Sequence, residues 1–409
     1  MLDDLLARLE GSEKHVSVLT STTTNGWQST VAWNPVEIFQ VSLDSAVDST
    51  HDLEIFVSQQ QAVDRLTIGY LSYDVGCMLH EVKLSNDDDL QTPLIFVLGF
   101  DNWVTFDGDK LSVHAKNSSF NDEIKTIMMR SPRELPTKLY SKDPSPTWSR
   151  AAYNEAYQKI HDYIQAGDIY QVNLTHRLEG ISETRGLDIY RKVSLRSNAN
   201  FQSYIDGGDF EIISASPERF VHISDGKIET SPIKGTRPRG VNEADDEALR
   251  ADLETNQKDL AELNMITDLM RNDLGAISEI GSVIVNDKRV LRSYPTLWHT
   301  HSTITGRLRS DVSPIAALMS LMPGGSITGC PKKRAMEIID EVEVKRRGIY
   351  TGSIFVIQPT GELDSNIAIR TMIKKDNTVY LSVGGGIVYD SNQADEYDET
   401  IHKAAAFLV

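Results

Sequence analysis

Short apolar runs of strand length come in pairs joined by tight turns in this chain, and stretches of helical period separate the pairs. That grouping limits the fold more than any other feature, because hairpin-linked strands pair antiparallel while parallel strands need a long crossover each time. TPLIFVLGF (92–100) and DKLSVHA (109–115) read as strands, with Asp107-Gly108 as the hairpin turn. FEIISASPERFVHISDGKIETSPIKG continues as two strands around Asp225-Gly226. Strands are also expected at 168–178, 281–285, 350–358 and in TVYLSVGGGIVYD near the end. Helical spacing appears over 150–166, where Tyr153, Tyr157, Ile160, Tyr163 and Ile164 recur before Ala-Gly. It appears again as one long pattern over 245–274, near 332–343, and from Asp395 onward. The order of elements predicts α+β with large, mostly antiparallel sheets, not alternating βαβ units.

Four prolines, Pro132, Pro136, Pro144 and Pro146, fall in MRSPRELPTKLYSKDPSPTWSR. Proline suits neither helix interiors nor central strands. The expected organisation is therefore an N-terminal region (1–128), a connector (129–149) and a longer C-terminal region (150–409). The acidic run Asp87–Asp89 reads as a solvated loop. No internal repeat or low-complexity segment is found.

Charge narrows the function classes. Asp and Glu number 59 against 41 Lys and Arg, a net charge of -18. Such a surface repels nucleic acid and anionic lipid, so neither is expected as a partner. A small anionic substrate would need a local basic site or a metal. The two cysteines, Cys77 and Cys330, form no C-x-x-C pair, which argues against a disulfide framework or a thiolate zinc site. The N-terminal MLDDLLARLEG has no apolar run of signal-peptide type, and no apolar stretch approaches the length of a membrane span. A cytoplasmic globular protein is expected.

Several segments could carry chemistry. SPIKGTRPRG (231–240) places Lys234 near Arg237 and Arg239. Neighbouring cations disfavour an ammonium and are one route to an amine nucleophile, but taken alone the segment reads better as a solvated basic turn, in which lysines are ordinary. DEYDET (395–400) puts Glu396 and Glu399 three residues apart, on one helix face. They suit either a hard cation such as Mg²⁺ or the acidic first turn that a helix dipole favours. Glu262 lies one turn before Ile266 and should be half-buried, needing a metal or an ion-pair partner. PGGSITGCPKKRAMEIIDE (323–341) runs a glycine-rich turn into a helix start carrying Lys332, Lys333 and Arg334, a setting that attracts anions. It does not match a Walker A loop. The triplet Gly384-Gly385-Gly386 permits close approach of a ligand to a strand, or marks a bulge. Arg370, flanked by apolar residues, should pair with a carboxylate of the protein or of a ligand. Spacing alone ranks neither Tyr350 nor His299.

Taken together, AGDIYQVNLT, SASPERF, PIKGT, DLMRNDLG, PGGSITGCPKKRAMEIIDE, GIYTGS, NIAIRT, GGGIV and EYDETIHKA closely resemble the chorismate-utilising enzymes. That family includes anthranilate synthase component I, aminodeoxychorismate synthase component I, and isochorismate and salicylate synthases. The match runs in order from about residue 150 to the end; the N-terminal third matches mainly through GYLSYDVG (69–76). The resemblance implies two large sheets stacked as a sandwich with helices outside and a cleft between them, the N-terminal region packing into the same fold. It implies Mg²⁺ held by Glu262, Glu396 and Glu399, and Arg370 with Tyr350 on the pyruvyl carboxylate. Gly235, Thr236 and the backbone of Gly384, Gly385 and Gly386 would line the ring-carboxylate side, with Lys333 and Gln171 also at the substrate. Glu218 in SPER would be the general acid, and His299 the family's active-site histidine.

Two positions sort the members. Anthranilate synthases carry alanine in P-I-A-G-T, whereas Lys234 stands here as in aminodeoxychorismate synthases. Isochorismate and salicylate synthases carry a water-activating lysine where this chain has Gln171, which lacks a basic nitrogen. The expectation is amination of chorismate to 4-amino-4-deoxychorismate, with anthranilate synthase as the alternative. No G-x-C-x-G nucleophile segment is present, so a separate glutamine amidotransferase subunit should supply ammonia. Cys330 replaces the family's alanine in TGAPK, and Leu260 with Leu263-Asn264 departs from R-A-E-N-L-M. A tryptophan-binding L-L-E-S segment is not recognisable.

Overall fold

The computed structural model describes residues 1–22, 26–43, 49–293 and 297–408. Its strands form two antiparallel sheets, one of eleven and one of ten strands among the described residues. The first runs from Gly329–Cys330 through Gln171–Ile181, Thr378–Val388, Thr371–Lys375, Phe210–Ser216, Phe201–Asp206, Ser17–Thr20, Ser29–Ala32 and Asn102–Asp107 to Lys110–Ala115. Lys142–Pro146 adds to the outer side of Gln171–Ile181. The second runs from Ile233–Pro238 through Leu297–Arg307, Lys227–Thr230, Arg219–Ser224, Leu363–Asn366, Ser353–Ile357, Leu66–Leu71 and Ile95–Phe100 to Glu37–Val41. Ile284–Ser293 pairs with Leu297–Arg307.

Each sheet takes strands from before and after residues 129–149. The sheets face each other across a core to which one gives Leu19, Phe201, Ile205 and Ile212, and the other Ile68, Tyr70, Phe96, Leu98 and Ile354. Helices cover the outer faces. Gln257–Ile277 buries Ile266, Met270 and Leu274 in one outer core, and Gly186–Ser194 buries Ile189, Tyr190 and Val193 in the other. No helix among the described residues is long and apolar enough to cross a membrane.

Local chemistry explains the ends of the elements. Ser149 caps Arg150–Ala166 by accepting from the Ala152 N–H at 3.2 Å, and Gly167 stops that helix with φ +83°. The turn at Asp225-Gly226 joins Arg219–Ser224 to Lys227–Thr230 as expected.

Two expectations are corrected. The hairpin at Asp107-Gly108 joins Lys110–Ala115 to Asn102–Asp107, while Ile95–Phe100 belongs to the other sheet. The helical pattern over 245–274 is two helices, Glu243–Thr255 and Gln257–Ile277. Asn256 breaks it with an extended backbone (ψ 115°), and its side chain accepts the Asp259 N–H at 3.1 Å. Asp87–Asp89 is the exposed loop expected, and within it Asp87 pairs with Lys345, and Asp89 with Arg177 and Lys345.

The Asn256 cap sets where the second helix starts, and so where Lys258 and Glu262 stand. Asn256→Ala should lose about 1 kcal/mol, the usual value of such a cap, and Asn256→Asp should keep most of it. Urea unfolding of the three proteins reads this; equal midpoints for all three would contradict the assigned role.

Candidate active site

The conspicuous residues of the sequence converge at one end of the sandwich. Lys234 lies on Ile233–Pro238, not in a solvated turn. That strand pairs with Leu297–Arg307 but slips register between Lys234 and Thr236, so Gly235 bulges out with φ +76°. The Lys234 side chain is 16% exposed, and its Nζ is 3.9 Å from Glu262 Oε2. Thr236, just past the bulge, shares a 2.9 Å hydrogen bond with His299 Nδ1.

Glu218 is buried at 6% exposure. Burial raises its pKa, opposed by a 2.8 Å hydrogen bond from Ser326 Oγ and by the charges of Lys234 and Lys403. A carboxyl held upward by burial is suited to keep and then give a proton. Ser326 belongs to the glycine-rich turn before the helix Lys332–Val342, so that turn holds the acid. The basic residues at the helix start are otherwise engaged: Lys332 pairs with Asp273 at 2.7 Å and Arg334 with Asp168 at 2.9 Å. Lys333 points to solvent, its charge felt by His80.

The triplet Gly384-Gly385-Gly386 sits in the strand Thr378–Val388, opposite Thr175, Leu174 and Asn173. Side chains are excluded there. A Cβ on Gly386 would lie 2.4 Å from Gln171 Nε2, and one on Gly385 3.2 Å from Glu396 Oε2. Gln171 is buried, and its Oε1 has no hydrogen-bond partner among the described residues.

The three glutamates are drawn together but held by lysines. Glu262 faces Lys234, Glu396 accepts from Lys258 Nζ at 3.3 Å and from Ser391 Oγ at 2.6 Å, and Glu399 pairs with Lys403 at 2.7 Å. Lys403 also donates to the Gly384 carbonyl at 2.9 Å. No group of three His, Cys, Asp or Glu arranged for a metal is found among the described residues. Burial raises the Glu262 pKa; Lys234 and Lys258 oppose this, while Asp259 and Glu396 add to it. Burial acts upward on Glu399 too, but Lys403, Lys258 and Lys234 bring its pKa down. An all-carboxylate donor set fits a hard divalent cation.

Arg370 adopts φ +49°, a left-handed conformation that non-glycine residues seldom take. Its guanidinium is half-buried, its pKa lowered by burial, and no carboxylate among the described residues pairs with it. The anion it needs is therefore left to a ligand. Tyr350 is buried, its phenol pushed up to about 12 by burial despite the nearby Arg347 charge. Thr351 beside it is also left-handed, with φ +60°. Strain of this kind gathers at functional sites.

Sequence reasoning missed Ser326, Lys258 and Lys403. Lys258 stands four residues before Glu262 and Lys403 four after Glu399, a spacing at which helical side chains meet; that signal was present.

A sequence profile of the chorismate binding enzyme family matches residues 16–409. The chain belongs to that family. It is 36% identical over 364 residues to an anthranilate synthase component 1 of Pseudomonas aeruginosa, covering 83% of this chain and 74% of that one. It is 35% identical over 354 residues to an aminodeoxychorismate synthase component 1 of Bacillus subtilis, covering 83% and 75%. The crystal structure of anthranilate synthase component I from Streptococcus pneumoniae superposes with a TM-score of 0.83 at 28% identity, covering 98% of this chain and 96% of that one. The chorismate-binding fold is thus two large antiparallel sheets with helices, as the sequence led us to expect.

Burial also holds three histidines of this chorismate-binding enzyme neutral. It pushes His176 to about 4, His299 to about 4 with help from Arg370, and His301 to about 3. Unfolded, they titrate near pH ~6.5. Between those values the unfolded chain binds more protons, so their contribution is complete above about pH 6.5 and is lost as pH falls towards 4. Unfolding free energy should drop between pH 7 and 5 by roughly 1–2 kcal/mol per histidine. His176→Asn should be less stable at pH 7 yet lose less on acidification. Urea unfolding across that range tests this, and an unchanged slope in the variant would place the proton uptake elsewhere.

Proposed function

We propose that this protein aminates chorismate at C4 to give 4-amino-4-deoxychorismate, with Lys234 as the nucleophile and ammonia from a glutamine amidotransferase partner. The observation that carries this reading is a lysine, not an alanine, beside the bulge at Gly235, within Coulombic reach of the buried acid Glu218. The Lys234 amine attacks C2 while the ring double bonds shift and the C4–O bond breaks. Glu218 gives its proton to the departing hydroxyl, which leaves as water. Ammonia then attacks C4, the double bonds shift back, and the Lys234 nitrogen leaves C2. The enolpyruvyl group is retained.

Arg370 and Tyr350 bind the pyruvyl carboxylate in this reading; the unpaired guanidinium supports it. The backbone at Gly235, Thr236 and Gly384–Gly386 receives the ring carboxylate, and His299 fixes Thr236. Gln171 offers a buried acceptor without a partner, suited to an N–H donor such as ammonia and unable to activate water as a base. Glu262, Glu396 and Glu399 would hold Mg²⁺, which when bound neutralises charge on a substrate carboxylate. The component 1 names of the relatives support the amidotransferase partner.

Metal dependence has a direct check. Turnover of chorismate with ammonium should fall at least tenfold in excess chelator and return with Mg²⁺, and Glu399→Gln should need about tenfold more Mg²⁺. Full activity in chelator would refute the assignment.

The nucleophile separates this reading from its nearest rival. Chorismate without ammonia should leave a covalent adduct on Lys234, read by intact mass and peptide mapping. Lys234→Ala should lose the adduct and at least about 100-fold in kcat/KM, with partial recovery in concentrated ammonium. Release of anthranilate and pyruvate by the unaided chain would show that it acts instead as an anthranilate synthase.

A further inference from the structure

Arg347 is a buried and fully bonded cation that the mechanism does not use. Its side chain is 2% exposed and that of Glu343 3%. Nε donates to Glu343 Oε2 at 2.9 Å, and Nη2 to Glu343 Oε1 and the Asn173 carbonyl, both at 2.6 Å. Nη1 donates to the Ile327 carbonyl at 2.9 Å and to Thr351 Oγ1 at 3.5 Å. All five donors of the guanidinium are thereby occupied. The group also lies 4.8 Å over the Tyr73 ring, and Glu343 Oε1 accepts the Thr175 N–H at 2.9 Å.

What these bonds join is more telling than their number. Ile327 follows Ser326, which holds Glu218. Asn173 and Thr175 face Gly386 and Gly384 across the sheet, two residues and four residues from Gln171. Thr351 is the left-handed residue after Tyr350, and the Tyr350 N–H donates to the Arg347 carbonyl at 3.1 Å. One buried pair thus ties together the turn behind the acid, the strand behind the glycine triplet, and the strained turn that presents Tyr350.

We propose that Arg347, oriented by Glu343, is the positioning residue that sets Tyr350 and the Gln171 strand for chorismate; this rests on the placement of Tyr350 at the pyruvyl carboxylate given above. It touches no substrate itself. Lysine cannot replace it, because an ammonium has three donors and no planar fork to span three segments at once. The competing account is a salt bridge that merely stabilises the fold, and buried pairs alone are weak evidence of either role.

The test follows chorismate consumption, with saturating ammonium and Mg²⁺, in Arg347→Lys, Glu343→Gln, Tyr350→Phe and the two double variants with Tyr350→Phe. Arg347→Lys should raise KM for chorismate about tenfold with a smaller change in kcat, and Glu343→Gln should do the same more weakly. Tyr350→Phe should raise KM in the wild-type background but by less than about twofold in either clamp variant, because a displaced tyrosine has little left to lose. Should Arg347→Lys not fold, the milder Glu343→Gln, which keeps the acceptor for Thr175, carries the same cycle. Additive effects of the two substitutions, or lower thermal stability with KM unchanged, would overturn the proposal. Consumption is read whichever aminated product appears, so release of anthranilate would refute the product assigned above and leave this result standing.

Discussion

The antiparallel pairing of Gln171–Ile181 with Thr378–Val388 is the constraint on which the rest of the site depends. Eleven residue pairs stay in register from Ile181 opposite Thr378 to Gln171 opposite Val388. Such a ladder leaves no freedom to slide, since a shift of one residue would send every side chain to the other face. It brings the glycine triplet against Asn173, Leu174 and Thr175, and leaves room for Glu396 on one side of Gly385. The helix Gln393–Lys403 packs on this pair and returns Lys403 to the Gly384 carbonyl. Backbone geometry therefore fixes the glycine triplet together with Glu396 and Glu399, which follow it by ten residues or more in the chain.

Much of the fold was legible from period and turn chemistry, and the failures have physical causes. The hairpin at Asp225-Gly226 and the capped helix Arg150–Ala166 announce themselves locally. The strand Asn102–Asp107 did not, because its apolar residues Trp103, Val104 and Phe106 do not alternate cleanly with polar ones. The break at Asn256 was hidden because the apolar period runs through it; only the capping bond reveals it. At the site, Lys234, Glu218, Glu262 and Arg370 stood out through motif context. Ser326 and Arg347 did not, because what makes them matter is contact with strands some hundred or more residues away in sequence. Glu343 and Arg347 have the spacing of a helical pair, yet the helix ends at Val342, so the spacing pointed to the wrong geometry.

Electrostatics at the site is balanced within the chain. Three carboxylates, Glu262, Glu396 and Glu399, stand with three ammonium groups, Lys234, Lys258 and Lys403. A set that sums to zero is tolerable in a half-buried place, where an unpaired charge would be costly. If a divalent cation joins it, the excess becomes positive and matches a substrate bearing two carboxylates. Arg370 adds a further cation, and the buried histidines beside it stay neutral, so His299 can hold Thr236 without adding charge. On this account the site attracts its substrate locally despite the net charge of -18 over the whole chain.

On the proposed reading, the frame that holds chorismate and the nucleophile occupy different strands. The glycine triplet, Gln171 and Tyr350 belong to a network anchored at Arg347 and the long ladder. Lys234 comes from the edge strand Ile233–Pro238 of the other sheet, and the bulge at Gly235 already interrupts its pairing there. Lys234 stands beside the irregular point of that strand, and its side chain, 16% exposed, faces Glu262 at 3.9 Å. On the proposed reading, replacing Lys234 would remove the nucleophile without breaking the ladder that holds the glycine triplet. Relatives of similar identity carry the names of two different synthases, so overall similarity alone does not separate the two products.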